Sequence, residues 1–183
     1  MHIDNKHPFP FYPKWLLKRA LSDCQNAEIR QGAFIGVGDT TSRGNEINWS
    51  MAESCFKAYP SPAEYILLPL GNHDTWNDDH YDAAIKQYYT SMKNICGMEL
   101  KKPYFSQEVR GYKIICMGSI GDVGDSPVIG EEQLKWLDEE LKDGSKDGKP
   151  VFVINHQALN GRHGLPETFC ADGGRHRRRI GGG

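Results

Sequence analysis

The sequence predicts an α/β fold in which mixed β-sheets carry helices on their outer faces. Three observations lead there: short apolar runs that each stop at a polar residue, helix-period segments between them, and one hairpin pattern in mid-chain. Taken in order, Pro8-Phe9-Pro10-Phe11-Tyr12-Pro13 is expected to be an irregular loop, because each proline fixes φ and removes a donor. An amphipathic helix should follow, packing through Trp15, Leu16, Leu17, Ala20, Leu21 and Cys24 and leaving Lys14, Lys18 and Arg19 to solvent. Residues 33–37 and 65–70 read as buried strands, closed by the polar loops Gly38-Asp39 and Gly71-Asn72-His73-Asp74. Between them Ile47, Trp49, Met51, Ala52, Cys55, Phe56 and Tyr59 recur at helical spacing, which completes a strand–helix–strand unit.

A further helix is expected over residues 81–95. A hairpin should then pair residues 104–109 with 112–117 through a turn at Arg110-Gly111, bringing in antiparallel pairing. Residues 131–142 form the last helical pattern, with Leu134, Trp136, Leu137 and Leu141 apolar, and a polar turn leads into a third buried strand that ends at His156. From Gly173 to Gly183 there are five glycines, four arginines, no acidic residue and one aliphatic side chain, Ile180. No core can be built from that composition, so residues 1–172 are expected to form one domain and 173–183 a disordered basic tail.

A chain of 183 residues with 38% hydrophobic and 25% charged content can bury one sizeable core. Its formal net charge of −2 offers no global attraction to nucleic acid or to an anionic membrane. No stretch approaches the length of a membrane span, and the first residues lack the apolar run of a signal peptide. Five cysteines, with no CxxC pair, read as buried apolar filler in a reducing cytoplasm rather than as a zinc knuckle or a disulfide framework. Neither GxGxxG nor GxxxxGK[ST] occurs, which counts against a nucleotide-binding Rossmann or P-loop protein.

The chemistry gathers at strand ends. Asp39, Asn72 and His156 would place a carboxylate, an amide oxygen and an imidazole on one rim, a mixed oxygen and nitrogen set suited to a divalent metal. They stand 33 and 84 residues apart, so only a fold that collects strand ends can make them neighbours.

Gly38-Asp39, Gly71-Asn72-His73-Asp74 and the strand-terminal His156 occur in the order of the motif blocks of calcineurin-like metallophosphoesterases, which the chain resembles almost throughout its length before the tail. The 104–117 hairpin and the 131–141 helix are similar to that family as well. The resemblance implies mixed sheets packed as a sandwich flanked by helices. It also implies two divalent ions (manganese, iron or zinc) that activate a water to hydrolyse phosphate mono- or diesters. Asp39 would bridge both metals, Asn72 and His156 would bind the second, His73 would sit beside the substrate phosphate, and Asp74 would orient His73.

Two blocks of the family pattern are incomplete. The first needs Asp, any residue, then His, and His2 supplies only the His; the last, GHxH, is matched neither by Gly161-Arg162-His163-Gly164 nor by Gly174-Arg175-His176-Arg177. The sequence therefore reads as a fragment truncated at both ends, with one metal position short of ligands and weak or no activity. Gly161-Arg162-His163 is expected to be a loop beside the site. The competing reading is a non-catalytic metal- or partner-binding module on the same fold.

Overall fold

The computed structural model describes residues 1–5, 11–76, 81–120, 128–159 and 170–171. Among them the architecture is mixed α/β, in the order α1 (Phe11–Gln25), β1 (Ala33–Ile35), α2 (Glu46–Ala58), β2 (Tyr65–Leu67), α3 (Tyr81–Cys96), β3 (Phe105–Val109), β4 (Tyr112–Cys116), α4 (Glu131–Gly144), β5 (Phe152–Ile154), β6 (Ala158–Leu159) and β7 (Cys170–Ala171).

The strand–helix–strand unit forms, but its strands are shorter and less buried than expected: Ala33–Ile35 is only half-buried, Val37 and Tyr65 are exposed, and Leu67 is the one buried residue of β2. β1 and β2 pair in parallel, Phe34 opposite Ile66, with α2 as the crossover. Asn45 caps α2 by accepting the Asn48 N–H at 3.0 Å, and Glu46 in the first turn complements the helix dipole. The hairpin also forms: β3 and β4 are antiparallel from Phe105–Cys116 to Val109–Tyr112. Its two turn residues, Arg110 and Gly111, both have positive φ, 51° and 78°, as a two-residue turn matched to strand twist requires. β5 then joins β4 in parallel, and β6 pairs with β7.

The core lies where α1, α2 and α3 meet the strands. Trp49 and Tyr88 are fully buried against each other with ring centroids 5.8 Å apart, among Leu17, Leu21, Leu67, Leu68 and Met92. The Tyr88 hydroxyl donates to the Leu68 carbonyl at 2.9 Å, which pins α3 to the segment leaving β2.

Several expectations are corrected. The loop expected over residues 8–13 gives way to helix from Phe11, because Pro13 falls in the first turn of α1, where a missing N–H costs nothing; residues 8–10 lie outside the described part. Among the described side chains of α1, Leu17 and Leu21 are buried and Cys24 is half-buried, while Trp15 (59% exposed), Leu16 and Ala20 face solvent. In α4 the buried side chain is Gln133, not an apolar one. Its amide donates to the Gly118 carbonyl at 2.7 Å and accepts the Gly118 N–H at 3.2 Å, so its polar atoms are paired. β5 is not a buried strand either. Phe152 (49% exposed) and Val153 both reach solvent, because among the described residues β4 is its sole partner strand. Of the cysteines, Cys55 and Cys116 are buried, Cys24 and Cys96 are half-buried, and all four are free. No helix among the described residues is long and apolar enough to cross a membrane.

Candidate metal centre

Four chain segments converge on one rim. The residues after β1 run Gly36-Val37-Gly38-Asp39, those after β2 run to Gly71-Asn72-His73-Asp74, and β5 is followed by Asn155-His156. The fourth is the start of the chain, for which no strand was expected. Ile3 is fully buried in a parallel bridge to Thr41, and its N–H donates to the Thr40 carbonyl at 3.1 Å. That bridge carries His2 to the site.

Tight backbone geometry makes the approach possible. Gly38 (φ +85°) and Asp39 (φ +49°) are consecutive left-handed residues that turn the chain sharply out of β1. A side chain at Gly38 would begin 2.5 Å from His156 Nδ1, and one at Gly71 would begin 2.2 Å from both Asp39 N and Asp39 Oδ1. Glycine at these two positions lets three strand ends share one small volume.

Asp39 is the hub. Its Oδ1 accepts the His73 backbone N–H at 3.0 Å, while its Oδ2 is approached by His2 Nε2 at 3.3 Å and His156 Nε2 at 3.2 Å. His156 Nε2 also lies 3.1 Å from Asn72 Oδ1, and its Nδ1 is 2.8 Å from the Val37 carbonyl. On the other side, ligand atoms of His2, Asp39 and His73 all fall within 4.8 Å of one another. The His2 and His73 rings meet edge to face, with centroids 4.5 Å apart. Asp39 thus belongs to two donor groups at once, one with Asn72 and His156, the other with His2 and His73. All six residues singled out in the sequence are at the rim.

The role expected of Asp74 is corrected. Its fully buried carboxylate does not hold the His73 ring; it accepts the backbone N–H groups of Thr40 (3.2 Å), Thr41 (2.8 Å) and Gly71 (3.0 Å) and the Thr41 hydroxyl (2.8 Å). His73 Nδ1 instead meets the Ser42 carbonyl at 3.0 Å. Asp74 therefore ties the loop after β1 to the loop after β2, and orients His73 only through that scaffold. Thr41, Ser42 and the Val37 carbonyl were not singled out in the sequence. The one signal for them was proximity to Asp39, which does not say which backbone group a ring nitrogen will meet.

The ionisation pattern follows from this packing. Burial alone would lower the His156 pKa, but hydrogen bonds to Asp39 and the Val37 carbonyl raise it above the usual 6.5. Burial likewise opposes ionisation of Asp39, and the contacts with His156 and His73 together outweigh it, holding Asp39 below the usual 3.8. His2 goes the other way: burial lowers it, and the attraction of Asp39 does not compensate. Burial also pushes the Asp74 carboxyl up, against the hydrogen bonds from Thr41 and Gly71.

The donor chemistry fits a cation. A carbonyl only accepts, so Val37 holds the proton of His156 on Nδ1, and the Nε2 lone pair of the neutral ring then faces Asp39 Oδ2 and Asn72 Oδ1. Three lone pairs converging on one point repel unless a proton or a metal ion lies between them. A proton there gives the raised His156 pKa; a carbonyl behind a histidine is also the usual support for a metal-binding ring. Gly161-Arg162-His163, His176 and the 173–183 tail lie outside the described residues. Compared with protein-family models and with curated proteins, the chain finds no match.

Proposed function

We propose that this rim is a divalent-metal centre and that the chain is a metal-dependent phosphoesterase of the calcineurin-like type. The observation that carries the reading is the convergence of His156 Nε2 and Asn72 Oδ1 on Asp39, with His156 Nδ1 committed to the Val37 carbonyl. Residues 84 positions apart bring three acceptor atoms to one point, where a metal ion, or a proton on His156, removes their repulsion. Asp39, Asn72 and His156 would hold one ion, and Asp39 with His2 would hold the adjacent one.

The bound ions would supply an acidified water and neutralise phosphoryl charge. The remaining work falls to side chains of this chain. Asp39 orients both imidazoles, Gly71 brings the two strand ends into contact, and Ser42 fixes the ring of His73, which lies beside the phosphate and stabilises the leaving oxygen. A phosphorylated substrate is the partner this reading requires. The mixed α/β architecture supports a two-sheet sandwich, and four free cysteines support a cytoplasmic setting.

The test is titration of the full chain with Mn²⁺, followed by hydrolysis of p-nitrophenyl phosphate and bis-p-nitrophenyl phosphate, beside Asn72→Ala and His156→Ala. Binding lost in both variants, with turnover that needs Mn²⁺ and His73, supports the proposal. Binding that depends on Asp39 and His156 without turnover would leave a metal-binding module, and no binding at all would refute the centre.

A further inference from the structure

The phosphoesterase reading uses His73 but leaves the ring beside it unexplained. Trp76 is 52% exposed, yet its backbone is fixed on both sides: its N–H donates to the His73 carbonyl at 3.2 Å, and its carbonyl accepts the Gly44 N–H at 3.1 Å. The indole meets the His73 ring edge to face with centroids 5.0 Å apart, and the Arg43 guanidinium lies 5.6 Å from its centre. Val37 (64%), whose carbonyl holds His156, and Met1 are also exposed at the rim. Single exposed apolar residues are ordinary. An exposed indole in contact with a candidate catalytic imidazole, on a backbone held at both sides, is a more specific arrangement.

We propose that Trp76 is the binding platform for the organic group of the substrate, and that this group is a planar aromatic ring carried directly on the ester oxygen, as in an aryl phosphate. The inference rests on the phosphoesterase reading for the position of the phosphate. With the phosphate held beside His73, as that reading has it, the ring contact at 5.0 Å puts the indole next to the side chain assigned to the leaving oxygen. A planar ring on that oxygen presents a face that the indole can stack on, which a small alkyl group lacks. Arg43 over the indole adds a cation at one face of the ring. The exposed position of Trp76 means that its truncation leaves the core intact.

The experiment uses two non-hydrolysable phosphonates in which a CH₂ group stands for the ester oxygen, benzylphosphonate, which carries the phenyl ring, and ethylphosphonate, titrated calorimetrically into the Mn²⁺-loaded full chain and its Trp76→Ala and Trp76→Phe variants. The wild type is expected to prefer the phenyl ligand by at least about fivefold. Trp76→Ala should abolish that preference with Mn²⁺ affinity unchanged, and Trp76→Phe should restore part of it. Equal affinity for the two ligands in the wild type, or a preference that survives in Trp76→Ala, overturns the platform and leaves the metal centre standing. Failure of both phosphonates to bind while Mn²⁺ binds overturns the platform together with the phosphoesterase reading, and absence of Mn²⁺ binding removes the centre itself.

Discussion

Replacing Asp74 by alanine removes the one acceptor shared by the two loops that build the rim. Three backbone N–H groups, those of Thr40, Thr41 and Gly71, and the Thr41 hydroxyl lose their partner together. All three residues are buried, so water does not replace the carboxylate freely. An orphaned buried donor costs about 1–3 kcal/mol, and losing a buried charge returns part of that sum, so a net loss of roughly 3–5 kcal/mol is expected. Asp74→Asn should cost less, about 2–3 kcal/mol, because one oxygen remains to accept while the amide N–H₂ opposes a backbone donor. The assay is equilibrium urea unfolding of the metal-free chain followed by both circular dichroism and tryptophan fluorescence, with coincident transitions required. A loss below about 1 kcal/mol for Asp74→Ala would refute the scaffold role of this carboxylate.

Two further predictions follow from the same rim. In the metal-free chain His156 is held above 6.5 and Asp39 below 3.8, so the His156 contribution is complete below pH 6.5 and lost as pH rises through its raised value. The Asp39 contribution is present above pH 3.8 and lost as pH falls through its lowered value, while His2, lowered, and Asp74, raised, act in the opposite sense; the reading is therefore the difference from His156→Gln, whose urea midpoints should fall less than those of the wild type as pH rises above 6.5. Gly71→Ala would place a methyl group 2.2 Å from Asp39 N and Oδ1, and is expected to displace the loop and abolish Mn²⁺ binding, read by calorimetry; retained affinity would show that the strand ends do not need this contact.

Much of the local structure was legible from pattern. Helical spacing located α2 and α3, and alternation around Arg110-Gly111 located the β3–β4 hairpin, because these elements satisfy their own backbone and need only one apolar face. The site residues were legible by type and order, since Gly38-Asp39, Gly71-Asn72-His73-Asp74 and His156 each close an apolar run.

Burial and partners were not legible. Apolar spacing in α1 nominates Trp15, Leu16 and Ala20 together with Leu17 and Leu21, but only the face that meets α2 decides which are covered. A sequence likewise contains no sign that Gln133 will be the buried side chain of α4, because its value depends on the Gly118 backbone it meets. The sequence alone nominated the residues proposed for metal binding and acid–base chemistry. The tertiary structure alone decided that Asp39 Oδ2 faces two imidazoles, that Asp74 serves the backbone rather than His73, and that Trp76 stands beside the site, because each depends on distances between segments far apart in the chain.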